Sequence, residues 1–184
     1  MTHLTLPLAP SDLPKLARRL ASGCLLAIVV LPLSVVLYWM MSDTGTLAVR
    51  TNLAPDVVQG ELQTWQRLLG CLLMEVPLCL LLVGVWQARK CFLLFGAGRV
   101  FSGEAIRYLR SFAAWSVASA IAKIFCDAAA SVVVTLANAP GQRMLALGLG
   151  SDQLFLLFFA ALVWLMAGVI GEGLALADEN ASFV

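Results

Sequence analysis

Four long apolar runs separated by polar stretches dominate the chain. The first, residues 21–41 (ASGCLLAIVVLPLSVVLYWMM), carries no charge, and at about 1.5 Å per residue of helix it covers the roughly 30 Å hydrocarbon layer of a bilayer. The second, 68–87, holds Glu75 and Pro77 near its middle; the third, 112–136, holds Lys123 and Asp127; the fourth, 154–171, is uncharged. The pattern predicts an all-α integral membrane protein, four transmembrane helices in an antiparallel bundle. The SDLPKLARRL stretch before the first run offers Ser11 or Asp12 as a cap and leucines at 13, 16 and 20, which suits a short helix lying at the interface. Tyr38, Trp39 and Met40 close the first run as an aromatic belt would. Residues 42–67 read as a loop with a short helix over VVQGELQTWQ, 88–111 as a basic connection, 137–153 as a short loop and 172–184 as an acidic tail.

Composition agrees and narrows the classes. Of 184 residues 61% are hydrophobic and 12% charged, and the mean hydropathy is +0.91, which no soluble globule of this size could hide. The length suits one membrane domain over 1–184, without a separate soluble catalytic module. A net charge of +1 excludes general affinity for nucleic acid, and His3, the sole histidine, excludes two-histidine haem ligation within the chain. Cys24, Cys71, Cys79, Cys91 and Cys126 lie in or beside apolar runs, where they read as packing thiols rather than metal ligands or loop disulfides. No nucleophile and base pair or phosphate loop is visible, so neither enzyme activity, cofactor nor metal is expected.

Lysines and arginines set the expected orientation, because positive flanks stay cytoplasmic. Lys15, Arg18 and Arg19 precede the first run and Arg89, Lys90, Arg99, Arg107 and Arg110 fill the 88–111 connection, against Arg50, Arg67 and Arg143 in the other two loops. Both termini are expected in the cytoplasm. The first run is too long, and lacks a small-residue cleavage site, to be a removable signal peptide.

The ionisable groups inside the runs are expensive to leave facing lipid, so they are expected to turn inward and find partners. Glu75 lies 14 residues before Arg89 and Lys123 lies 13 after Arg110, which places both about 20 Å from the basic boundary and level with each other. Lys123 and Asp127 are spaced to pair on one helix face, continued by Ser116, Ala120 and Ser131. Glu75, Lys123 and Asp127 form the intramembrane polar candidate, as a proton or cation relay in a small transporter or as a structural lock between two helices. The Gly168, Gly171 and Gly173 series could seat a close helix contact, without strict four-residue spacing.

The basic connection carries the densest information. Gly96 and Gly98 should end the second helix, Ser102 should cap a new one at Gly103, and Phe101 with Ile106 would make a hydrophobic staple. Arg107 and Arg110 share a face, Arg99 sits at the turn, and the tail from 172 carries Glu172, Asp178 and Glu179 with no base. Docking of tail on loop and attraction of the loop to anionic headgroups both fit those charges.

The sequence from Gly98 through Val100, Phe101 and Ser102 to Ile106, Leu109 and Arg110 resembles the inner-loop signature of a bacterial membrane family, domain of unknown function 2975. The ending GEGLALADENASFV looks like the same family's C-terminal signature, through Gly173, Leu176, Asp178, Glu179, Asn180 and Val184. Ala105 and Phe112 depart from it, where a polar and a small residue are usual. The resemblance implies four spans in the bacterial inner membrane and no established enzymatic activity. It also implies a partner, since genes of the family tend to lie beside those for small helix-turn-helix transcription regulators. The expected function is therefore a non-enzymatic accessory or regulatory protein binding such a regulator through Arg99, Phe101, Ser102, Arg107 and Arg110 with Asp178, Glu179 and Asn180. Homo-oligomerisation stays open, and direct nucleic-acid binding is not expected.

Overall fold

The computed structural model describes residues 13–139 and 141–182, with side chains as far as residue 176. Ser11, Asp12 and His3 lie outside the described residues, as do the side chains of Asp178, Glu179 and Asn180. Five helices follow in order, α1 (Leu13–Met41), α2 (Thr44–Arg50), α3 (Thr64–Gly96), α4 (Gly103–Thr135) and α5 (Ser151–Ser182). No strand occurs among the described residues, and every helix except α2 is long and apolar enough to cross a membrane. The protein is all-α and multi-pass.

The helices outrun the apolar segments that mark them. Nothing between Leu20 and Ala21 stops a helix, so the stretch expected to lie separately at the interface is instead the first turns of α1. α3 likewise begins at Thr64 and runs to Gly96, where Gly98 takes a φ of +77° and turns the chain. The side-chain oxygen of Ser102 then accepts from the Ala105 N–H at 3.3 Å to open α4, as the sequence predicts. The staple does not close, because Phe101 is 74% exposed.

The most extensive packing is α3 on α4, followed by α1 on α3 and α5 on α4, while α1 and α5 share no comparable interface. α4 is the most buried span and α1 the least. The small and polar seam of α4 is the reason: Ser116, Ala120 and Ser131 are wholly buried, and the Ser119 hydroxyl donates to the Pro77 carbonyl at 2.7 Å. That last bond, from α4 to a backbone carbonyl of α3, fixes the antiparallel register of α3 and α4. On α5 the close contact is made by Ala160 and Ala167, both fully buried, with Gly171 facing Arg110 and Ile106. Gly168 and Gly173 face open space instead.

At the end of the bundle where α1 stops, a small lobe forms. The short helix is not over VVQGELQTWQ but at α2, where Asp43 caps it by accepting from the Thr46 N–H at 2.9 Å and Leu47 and Ala48 are fully buried. The hydrogen bonds from Thr46 hold the Asp43 carboxyl below the usual carboxylate range. Asn138 ties the two connections together, donating to the Val57 carbonyl at 2.8 Å and accepting from the Gln59 N–H at 3.1 Å. Gln66 is fully buried and donates to the Val133 carbonyl at 2.9 Å, which joins the start of α3 to the end of α4.

Trp39 is not part of an aromatic belt. It is 1% exposed and centres a core with Leu47, Leu62, Cys71, Met74, Ala130 and Val134, while its neighbour Tyr38 stays partly exposed. Arg67, which counts in the sequence as a loop charge, donates to the Trp39 and Ser42 carbonyls at 3.2 and 2.7 Å. α1 carries no basic residue in its own last turn, so Arg67 supplies that cap from α3. Arg67→Met is expected to cost about 2 kcal/mol, the worth of charged hydrogen bonds to carbonyls. Unfolding in detergent followed by circular dichroism measures it, and a midpoint equal to wild type would show that the cap carries no energy.

Candidate functional site

Downstream of α4 the chain does not simply loop across. Thr135 Oγ1 exchanges hydrogen bonds with the Met144 N–H and carbonyl, at 3.2 and 3.3 Å, and the Ala146 N–H donates to Ser131 Oγ at 2.9 Å. The segment 143–150 therefore runs extended down the side of α4. Met144, Leu145, Leu147 and Leu149 point outward, all at least half exposed, while Ala146, Gly148 and Gly150 lie against the protein. Eight residues of helix separate Thr135 from Asp127, so α5 starts about 12 Å below the end of α4.

That placement assembles the polar site. Lys123 Nζ contacts Asp127 Oδ2 at 2.5 Å and Asp152 Oδ2 at 3.7 Å, and Gln153 Nε2 donates to Asp127 Oδ2 at 3.3 Å. The Asp127 side chain is 2% exposed, that of Lys123 18% and that of Asp152 59%. Asp127 Oδ1 and Gln153 Oε1 are buried with no donor. Lys123 is thus shared by a buried and an open carboxylate at the first turn of α5.

Glu75 is not in this group. The register set by Ser119 and Pro77 places it opposite about residue 121, close to the depth of Lys123. It stands about 100° around α3 from Met74, whose face with Pro77, Leu78 and Leu81 turns toward the site. Among the described residues it makes no ion pair, and its Oε1 is buried without a hydrogen bond. Asp152 and Gln153 take the place expected for it. They are read from sequence as loop residues because they fall before the apolar run of the fourth span, and only the Leu-x-Leu-x-Leu alternation of 145–149 hints that the chain keeps one face against the protein.

Two cavities meet at this cluster. One of about 390 Å³ is lined mainly by polar residue types, among them Thr46, Asn52, Asp127 and Gln153; the other, of about 680 Å³, is mostly apolar and includes Val35, Met74, Leu78, Leu81 and Leu156. Tyr38, Arg50, Lys123 and Asp152 line both, so they are two parts of one crevice between α1 and α5. Glu75 lines neither.

At the opposite end, the α3–α4 turn is held by Ser102, whose hydroxyl donates to the Arg99 carbonyl at 3.2 Å, and by an Arg99–Glu104 ion pair of 2.8 Å. Lys90 and Arg107 both lie over the Tyr108 ring, at 5.5 and 5.9 Å. Arg110 approaches α5 at Gly171, so Arg107 and Arg110, although near in sequence, meet different neighbours. No group of three or more histidine, cysteine or carboxylate side chains suited to a metal occurs among the described residues.

Residues 58–184, from before α3 to the last residue, match the family described as "Protein of unknown function (DUF2975)". The chain belongs to the DUF2975 family. The match covers the α3–α4 turn and the C-terminal segment, the two places where the sequence resembles the family, and leaves α1 and α2 outside it. No curated protein and no solved structure matches the chain significantly. Within this DUF2975 protein the matched part supplies Lys123, Asp127, Asp152 and Gln153, whereas Tyr38 and Arg50 of the crevice come from the unmatched part.

Proposed function

We propose that this DUF2975 protein is a non-catalytic regulatory component of the bacterial inner membrane, with both termini cytoplasmic, that docks a cytoplasmic partner on the α3–α4 turn. The observation that carries the reading is Phe101, 74% exposed at the tip of a turn that Gly98, Ser102 and the Arg99–Glu104 pair hold in one shape. An exposed aromatic at the tip of a turn within a connection that also carries Lys90, Arg107 and Arg110 suits an apolar pocket rimmed by acids. The lysine and arginine asymmetry supports the cytoplasmic placement of this end. The helix-turn-helix regulators implied by the family resemblance are the partner class this reading adopts, with the acidic tail as a second contact.

The transport reading needs Glu75, Lys123 and Asp127 to act together. The geometry supports it less, because Glu75 shares no bond with the pair and borders neither cavity.

The test is a pull-down from gently solubilised membranes with wild type, Phe101→Ala, and the double charge reversal Arg107→Glu with Arg110→Glu. Each variant is expected to lose a specific soluble DNA-binding partner, the double reversal by about tenfold or more, as opposed charges lose their attraction. Unchanged co-purification and unchanged protease protection of the tail in both variants would end this reading.

A further inference from the structure

We propose that the crevice between α1 and α5 holds one phospholipid of the bilayer, one of its two acyl chains in the apolar part, the other in the surrounding lipid, and a headgroup bearing a phosphate and a primary ammonium in the polar part. The shape is that of an amphiphile. A groove of about 680 Å³ walled by Val35, Met74, Leu78, Leu81 and Leu156 lies between two spans that do not pack on each other. It passes, through Tyr38, Arg50, Lys123 and Asp152, into a polar cavity of about 390 Å³. The lower part is mostly apolar, which suits a hydrocarbon chain from the surrounding bilayer.

The polar part selects the headgroup by charge. Lys123 is shared between the buried Asp127 and Asp152, which leaves Arg50 on the last turn of α2 as an exposed cation and Asp152 on the first turn of α5, 59% exposed, as an anion only part-matched by Lys123 at 3.7 Å. Arg50 is exposed and makes no ion pair among the described residues. A guanidinium is matched to a phosphate and Asp152 to an ammonium, so a zwitterionic aminophospholipid satisfies both. A headgroup with phosphate and glycerol satisfies only the first. The level is also right for a headgroup, because Asp152 immediately precedes the apolar run of α5, where hydrocarbon gives way to interface.

The full chain, purified in detergent and exposed to vesicles of equal phosphatidylethanolamine and phosphatidylglycerol, is examined by native mass spectrometry for lipid retained through detergent exchange. Wild type is expected to keep one phosphatidylethanolamine, preferred over phosphatidylglycerol by about tenfold. Arg50→Gln is expected to lower retention of both lipids, and Asp152→Asn to remove the preference while leaving retention. Leu156→Trp, which fills the apolar part, is expected to remove retention without touching the charges. Both charged positions are exposed, and unchanged circular dichroism identifies folded variants. Equal retention of the two lipids by wild type, or retention indifferent to all three substitutions, would overturn the proposal. So would displacement of the lipid by free phosphoethanolamine alone, which would make the site one for a soluble ligand.

Discussion

Gly70→Ala is expected to be the most damaging single-methyl addition in the protein. A Cβ at Gly70 would lie 2.2 and 2.4 Å from Cζ3 and Cη2 of Trp39 and 3.0 Å from its Cε3. Those are atoms of a rigid ring 1% exposed, so neither partner can move without disturbing Leu47, Cys71, Met74 and Val134. Overpacking of this kind costs about 1–3 kcal/mol in ordinary cores, and the upper end applies where the neighbour is an immobile indole. Trp39→Phe removes the distal ring and is expected to cost a few kcal/mol alone by leaving a void. Combined with Gly70→Ala it should cost less than the sum, with a coupling of about 1 kcal/mol or more, since the alanine methyl occupies space the indole gave up. Denaturant titration in mixed micelles, followed by circular dichroism, measures all three. A Gly70→Ala midpoint indistinguishable from wild type would mean that α1 does not seat its tryptophan on α3.

The same pair illustrates what could be read in the sequence and what could not. The spans themselves are legible because hydropathy over some twenty residues is a local property, and so is the turn at Gly98 and Ser102, whose chemistry is contained in six residues. Trp39 is a different matter. A tryptophan at the end of an apolar run has the signature of an interfacial belt, and only the lobe formed by α2 and residues 51–63, folding back over it, turns that position into a core. Arg67 is misread for the same reason, as its role depends on the carbonyls of another helix.

Lys123 and Asp127 are found by local spacing, whereas Asp152 and Gln153 join them only because Ser131 and Thr135 hold an extended segment against α4. Glu75 has the correct depth, which spacing can supply, but not the correct face. Depth follows from counting residues along two antiparallel helices; facing follows from how each is rotated, and in α3 the rotation is set by Gly70, Met74 and Pro77, which are buried, rather than by Glu75.

The role of the polar pair is decided by which partner can be lost. Lys123→Met leaves Asp127 at 2% exposure with Gln153 Nε2, 3.3 Å away, as its remaining donor, and is expected to destabilise the protein by about 3–5 kcal/mol, the cost of breaking a buried pair. Asp127→Asn is expected to cost less, about 1–2 kcal/mol, since Lys123 keeps Asp152 at 3.7 Å and its long stem lets the ammonium reach the open end of the crevice. Lys123→Met combined with Asp127→Leu should recover most of the loss, because two apolar side chains of similar volume avoid the desolvation of both charges. The three variants are compared by unfolding in mixed micelles at neutral pH. The predicted order puts Lys123→Met lowest and the double variant near wild type; equal losses for the two single variants would mean that the pair is not the asymmetric lock described. A stable double variant also separates structure from function. If it folds, reaches the membrane and still retains the docking proposed above, the charges of Lys123 and Asp127, with Asp152 and Gln153, serve to hold α5 against α4, and the proposed docking stays with the turn and tail. Folding with loss of that proposed docking would instead tie the charges to it, through α4 to the turn that α4 begins.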